Sequence, residues 1–213
     1  MNDLQQLRAV YPRVSDIIRR QNEEEFRSIP LETLAKACIR GQKVHDYCTA
    51  WAKNLWISEI EEEYKPYLDS FIEWSTENVG ELLHSSVRLY DDERRFTGEF
   101  DMIVKMKVSK KIVLLDIKTS YNPSMSWPVQ LAAYARLCAV NGYEFDSVMN
   151  VHLKKTHAAI YKEIEGEKTL ISPPQVRTNI IEHKDIEFYW EVFSSALKCY
   201  DYFYRKEDSD ART

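Results

Sequence analysis

The stretch Phe96-Thr97-Gly98-Glu99-Phe100-Asp101-Met102-Ile103-Val104-Lys105-Met106, followed by Ile112-Val113-Leu114-Leu115-Asp116-Ile117-Lys118-Thr119, decides the fold. Residues 96–108 and 111–119 are rich in β-branched and apolar side chains, and Ser109-Lys110 is a short polar turn between them, so the pattern predicts two antiparallel strands. The nearly continuous apolar run from Ile112 to Ile117 predicts a central strand covered on both faces. Asp116 and Lys118 interrupt that run. Side chains two apart on a strand share a face, separated by roughly 7 Å of backbone. Burying an acid and an amine there costs several kcal/mol unless each is paired. A structural ion pair accounts for those two residues alone as well as a reactive site does.

Asp101, in the polar turn Gly98 to Asp101 at the edge of the preceding run, adds a second carboxylate. Mg²⁺ takes hard oxygen ligands, keeps several waters and is held by one or two carboxylates. A cation at Asp101 and Asp116 would polarise a phosphate and acidify a water, while the Lys118 ammonium would orient that water or stabilise the developing charge. The trio therefore suits metal-dependent hydrolysis of a phosphodiester.

The order Gly98 to Asp101, Asp116-Ile117-Lys118-Thr119, then Gln130 to Tyr134 resembles the PD-(D/E)XK nuclease superfamily in its RecB-like and phage-type exonuclease branch. Upstream, Tyr11 to Ile18 is similar to the Pro-Ser-Val-Thr-x-Ile opening of phage members, and Arg40-Gly41-Gln42-Lys43-Val44-His45 to their Arg-Gly-x-x-x-His helix. Downstream, residues 148–155 and 158–163 look like the strand pair after the Gln/Tyr helix. The likeness covers roughly residues 11–164. It implies a restriction-endonuclease-like core: a mixed central β-sheet flanked by helices, an α/β fold, with a helical N-terminal region. It also implies His45, Asp101 and Asp116 as metal ligands, the Ile117 carbonyl as a further one, and Lys118 as the catalytic lysine. Imidazole is softer than Mg²⁺ prefers and suits Mn²⁺, so either Mg²⁺ or Mn²⁺ is the expected cofactor. Outside that motif, a single histidine on an amphipathic helix is most often a packed or surface residue.

Gln130 and Tyr134 lie four apart in a strong helical sequence, so they share a face. Leu131, Ala135 and Cys138 form a stripe suited to packing on the sheet. The resemblance implies that Gln130 touches the phosphate or a metal water and Tyr134 the nucleic-acid backbone. In one respect the chain departs from the family: where many relatives carry a glutamate before Gly-x-x-Asp, it has Ser85 and Ser86. Glu81 would be a substitute, although an exposed glutamate at a helix end is the commoner situation. Trp127, beside the expected site, is read as a loop anchor in preference to a base-stacking residue.

The four cysteines, at 38, 48, 138 and 199, include no Cys-x-x-Cys, so no iron–sulfur cluster is expected and the residues read as reduced, buried thiols. With 213 residues, 44% hydrophobic and 30% charged, the chain fits a single nuclease domain over 1–205. Within it, about 1–80 is helical, about 81–165 is the catalytic core, about 185–204 is a final helix, and 206–213 is expected to be a disordered tail. Helices are predicted over 14–22, 30–52 and 57–78, then 128–140 and 186–204. Strands are predicted near 84–91, 96–108, 111–119, 147–155 and 158–164, the last two returning to the sheet. No run is long enough to span a membrane and no signal pattern opens the chain, so a cytoplasmic location is expected, in the host if the protein is phage-borne. A net charge of −5 argues against a purely charge-driven nucleic-acid binder. Arg13, Arg19, Arg20, Arg40 and Lys43 are candidates for lining the approach to a site, and the acidic runs 23–25 and 61–63 are expected to face away from it.

These readings together lead to the expectation of a divalent-metal-dependent DNA nuclease, an exonuclease in recombination or repair, with DNA as substrate and a recombination annealing protein as a possible partner. A non-catalytic nucleic-acid-binding relative and a structure-specific endonuclease are the alternatives.

Overall fold

The computed structural model describes residues 3–204. In chain order it comprises α1 (Asp3–Ala9), α2 (Val14–Ile17), α3 (Arg19–Glu25), α4 (Leu31–Ala52), α5 (Lys65–Asn78), β1 (Val79–Asp91), β2 (Phe96–Met106), β3 (Ile112–Lys118), α6 (Ser126–Val140), β4 (Ser147–His157), β5 (Ile160–Ile164), β6 (Glu167–Ser172), β7 (Gln175–Glu182) and α7 (Ile186–Tyr204). The expected tail at 206–213 lies outside the described residues. Among the described residues no helix is long and apolar enough to cross a membrane.

The predicted β2–β3 hairpin is present and antiparallel, and β1 pairs antiparallel with β2 on its other side. After β3 the chain crosses through α6 and returns as β4, parallel to β3. β7 closes the five-stranded mixed sheet, in the order β1-β2-β3-β4-β7, antiparallel to β4. Because successive strand residues face opposite ways, β3 feeds two cores. Leu114 packs with Phe96, Phe100, Leu131, Leu137 and Phe193 under α2, α6 and α7. Val113, Leu115 and Ile117 pack with Val44, Tyr67, Leu68 and Phe71 under α4 and α5.

Several boundaries differ from expectation for identifiable reasons. The helix predicted over 57–78 begins at Lys65, because Pro66 sits in its first turn, where its missing N–H costs nothing, and its ring would clash with the carbonyl four residues back. The helix predicted over 14–22 is broken at Ile18, whose ψ of 4° ends α2 and starts α3. β1 begins at Val79, earlier than expected, and carries register irregularities between Val79 and Glu81 and between Leu82 and His84. The strand expected to return to the sheet over 158–164 does not do so. Glu165 and Gly166 both have positive φ, 54° and 81°, which is the signature of a tight primed hairpin turn, so β5 folds back on β6 as a separate two-stranded sheet. β7, unpredicted, takes the free edge of β4. Of the four cysteines expected to be buried, Cys48 and Cys138 are, whereas Cys38 and Cys199 are exposed; all four are free thiols.

Gly98 explains how the N-terminal motif and α6 reach the sheet. A Cβ there would lie 2.8 Å from Tyr134 Cε1, 2.9 Å from Leu137 Cδ1 and 3.0 Å from Val14 Cγ2. The Tyr11-to-Val14 segment runs beside β2, with Thr97 N–H donating to the Pro12 carbonyl at 3.0 Å and Arg13 bridged to Thr97. Glycine is required by close approach of two helices. Gly98→Ala is expected to destabilise the protein by about 1–3 kcal/mol through overpacking; an unchanged urea midpoint would contradict this packing account.

Candidate metal and phosphodiester site

The β2–β3 ladder runs from Lys105↔Ile112 to Met102↔Leu115 and stops there. One step further, where Asp101 and Asp116 would face each other, the Asp101 side chain replaces the ladder: its Oδ2 accepts the Ile117 N–H at 2.7 Å. Alternation on β2 also slips here. Phe100 and Ile103 belong to the α6 core and Met102 and Val104 to the α4–α5 core, although a regular strand would put 100, 102 and 104 on one face. Opposite Asp101, between the pairs Val87↔Phe100 and Ser85↔Met102, lies Ser86 with φ of 53°. Irregularities of this kind re-aim side chains and concentrate beside functional sites.

The re-aimed Asp101 meets α4. His45 Nδ1 lies 3.2 Å from Asp101 Oδ1, with the two side chains 21% and 14% exposed. His45 Nε2 is 3.4 Å from the Ser86 hydroxyl and 3.5 Å from that of Thr49. Ser86, one of the two serines that stand where many members of the resembled family carry a glutamate, therefore lies beside the histidine. Glu81 is exposed and pairs in register with Lys105, five residues before Ser86 on β1.

Asp116 and Lys118 form the expected same-face pair, Nζ to Oδ2 at 2.8 Å, with Asp116 only 4% exposed. Lys118 also donates to Gln130 Oε1 at 2.7 Å, and Gln130 Nε2 donates to the Tyr134 hydroxyl at 2.8 Å. The four-residue spacing on α6 thus supports a relay of hydrogen bonds ending at Tyr134. Sequence reasoning missed the other side of Asp116. Asn150 on β4, fully buried, donates to Asp116 Oδ2 at 2.7 Å and accepts from His183 Nε2 at 2.7 Å. The signal was present: Asn150 and His152 interrupt the apolar run 148–153 just as Asp116 and Lys118 interrupt theirs.

Burial sets the electrostatics. It raises the Asp116 carboxyl above the usual carboxylate range, against the pull of Lys118, with the Asp101 charge adding to the rise. The same burial, reinforced by Asp116 and Asp101, lifts the Tyr134 phenol well above its ordinary value. His45 behaves in the opposite sense. Burial lowers its basicity, but the hydrogen bond to Asp101 and the charges of Asp101, Asp46 and Asp116 outweigh it and raise the imidazolium to about 9.

An imidazole and two carboxylates are the donor types that Mg²⁺ and Mn²⁺ accept. Ile117 belongs with them, since the N–H and C=O of an extended residue face the same neighbouring strand and its N–H faces Asp101. Among the described residues no three His, Cys, Asp or Glu side chains stand close enough together to enclose an ion in this arrangement. The carboxylates are instead neutralised by the chain itself, Asp101 by His45 and Asp116 by Lys118. The residue types fit a divalent cation once His45 gives up its proton.

A cleft of about 240 Å³ opens beside Asp101, lined among others by Arg13, Ser15, Gln42, His45, Arg88 and Tyr134. Of the five basic residues proposed for the approach, only Arg13 lines this cleft: Arg19 pairs with Asp16, Lys43 with Glu61, and Arg20 and Arg40 lie over Tyr204 and Tyr67. The acidic run 23–25 does not wholly face away, because Glu25 accepts from the Ser124 hydroxyl at 2.7 Å and the Met125 N–H at 3.3 Å in the loop after β3. Trp127 is buried, edge-on to the His152 ring at 4.9 Å, and anchors that loop as expected.

No family model matches this sequence, and no curated protein matches it. Among solved structures the chain is similar to one titled "Crystal structure of SSO0001", at 14% identity and a TM-score of 0.42, over 89% of this chain and 75% of that one.

Since the folded imidazolium lies above its ordinary 6.5, His45 contributes stability that is complete below about pH 6.5 and is lost as pH rises through about 9. In EDTA, the stability difference between wild type and His45→Ala should narrow by about 1–3 kcal/mol from about pH 6 to about pH 10. A gap independent of pH, measured by urea unfolding, would mean that His45 and Asp101 are not paired.

Proposed function

We propose that this protein is a divalent-metal-dependent DNA nuclease with a restriction-endonuclease-like core. The observation that carries the reading is the gathering of His45, Asp101, Asp116, Lys118 and Gln130, from α4, two adjacent strands and α6, where the β2–β3 ladder ends. Those are the residues that the family resemblance implies, and four separate elements bring them to one place.

His45, Asp101, Asp116 and the Ile117 carbonyl would hold Mg²⁺ or Mn²⁺. When bound, the cation supplies Lewis acidity toward the phosphodiester and a more acidic water. The chain's own groups do the rest. Lys118, held between Asp116 and Gln130, keeps its ammonium aimed along the site face, where it orients the attacking water and offsets charge developing on the phosphate. Gln130 fixes the lysine through Oε1 and Tyr134 through Nε2, so its role is to position both. Tyr134, with its phenol held neutral and its ring lining the cleft, is placed to donate a hydrogen bond to a phosphate oxygen. Asn150 and His183 hold the Asp116 carboxylate from behind.

An exonuclease serving recombination or repair is the form that the resemblance implies. A second reading, a binding-only relative, is favoured by one observation: Ser85 and Ser86 stand where many members of the resembled family carry a glutamate, and Ser86 is the residue beside His45.

Linear end-labelled DNA incubated with Mn²⁺ or Mg²⁺ should lose its label, and EDTA should prevent the loss. Lys118→Ala should lower the rate by at least about 100-fold, the scale of one group that stabilises developing charge. Binding without cleavage under either metal would favour the second reading. Cleavage undiminished in Lys118→Ala would remove that residue from the mechanism.

A further inference from the structure

The loop from Thr119 to Met125 presents an aromatic side chain that neither the core nor the site network uses. Tyr121 is 70% exposed, yet the loop around it is fastened at several points. The Ser120 carbonyl is held by His152 Nε2 at 2.7 Å, the Ser120 hydroxyl donates to the Asn122 carbonyl at 2.8 Å, and Glu25 secures Ser124 and Met125. Tyr121 lies three residues after Lys118, so its backbone is within about 10 Å of that residue's. The loop therefore holds the Tyr121 backbone near the site.

One face of the ring is backed by a cation, Lys154 Nζ, at 5.4 Å from the centroid. Lys154 occupies the same face of β4 as Asn150 and His152, so one column of side chains runs from the Asp116 carboxylate to Tyr121. In the β4–β7 register Lys154 stands opposite Arg177. Like charges directly across a sheet are destabilising, and among the described residues neither forms an ion pair that would relieve the repulsion. In a chain of net charge −5, an exposed aromatic against Lys154, with Arg177 across the sheet from that lysine, concentrates positive charge at one place. That grouping has the composition of a single-stranded nucleic-acid platform, where a base stacks on the ring and phosphates lie on the cations.

We propose that Tyr121, Lys154 and Arg177 form a binding strip for the single-stranded segment of nucleic acid next to the scissile phosphate. This rests on the nuclease reading of the site for its position in the reaction, but not for its ability to bind. Tyr121 stacks on a base, Lys154 and Arg177 contact successive phosphates, and the bases pass through the strip unread.

The test is fluorescence anisotropy of full-length protein with a short fluorescein-labelled oligothymidylate in EDTA, across a salt series, alongside cleavage of the same strand in Mn²⁺. Tyr121→Ala should weaken binding by about 5- to 100-fold while Tyr121→Phe stays near wild type, because stacking needs the ring and not the hydroxyl. The double variant Lys154→Ala/Arg177→Ala should reduce the slope of log affinity against log salt by about 1.4, two single-strand phosphate contacts. Melting temperatures equal to wild type would show that the loss is local. Tyr121→Ala binding like wild type, Tyr121→Phe failing equally, an unchanged salt slope or no single-strand binding by wild type would each overturn the strip. If the wild type binds with the expected dependence on these residues but never cleaves, the strip stands and the nuclease reading falls. If it cleaves while the variants bind normally, the reverse holds.

Discussion

The acceptance of the Ile117 N–H by the Asp101 carboxylate is the contact around which the rest of the molecule is arranged. It ends the β2–β3 ladder one residue early without leaving a buried amide unpaired, which would cost about 1–3 kcal/mol. The strands can then part, and the gap admits side chains from both layers. α4 brings His45 in from one side, and α6 brings Gln130 and Tyr134 from the other. The slip in alternation at Asp101 and the left-handed Ser86 opposite it are the local cost of turning that carboxylate into the gap. Gly98, three residues upstream, lets α6 approach closely enough for its glutamine to reach the lysine.

Two carboxylates so close in a largely dry site would repel, and the chain offsets this with two of its own cations. Lys118 pairs with Asp116 and His45 with Asp101, and of the two partners the imidazole is the one that can also serve as a metal ligand. That asymmetry suggests how a divalent ion would be received. Replacing the imidazolium proton with the ion would leave the lysine pair intact and turn the histidine from a donor into a ligand, so metal binding and proton release would be linked. Asp116 has further support from Asn150 and His183, which keep one of its oxygens fixed. Such a network holds geometry at the expense of stability, as buried polar groups in a central sheet generally do.

Much of this was legible in the sequence because the decisive strands are strongly patterned. Ile112 to Ile117 is apolar enough to be central, and Asp116 and Lys118 stand out against it; the Gln130–Tyr134 spacing fixed a shared face on α6. What escaped notice was weakly patterned or settled by a single residue. β7 is a polar edge strand, with Arg177, Thr178 and Asn179 in its middle, and edge strands need bury little. The β5–β6 hairpin depended on the Glu165-Gly166 turn, and the start of α5 on Pro66. Asn150 and His183 were overlooked because neither carries a charge that demands explanation, although Asn150 sits as deep as Asp116. The Asp101 irregularity has no sequence period to reveal it, since it arises from pairing across three strands.

The most direct test of this account is calorimetric titration of Mn²⁺ into the protein near neutral pH, repeated in two buffers of different ionisation enthalpy. The account predicts saturable binding accompanied by release of close to one proton, with Asp101→Ala abolishing the binding and His45→Ala removing the proton release. Absence of binding, or binding that is unaltered in Asp101→Ala and releases no proton, would contradict it.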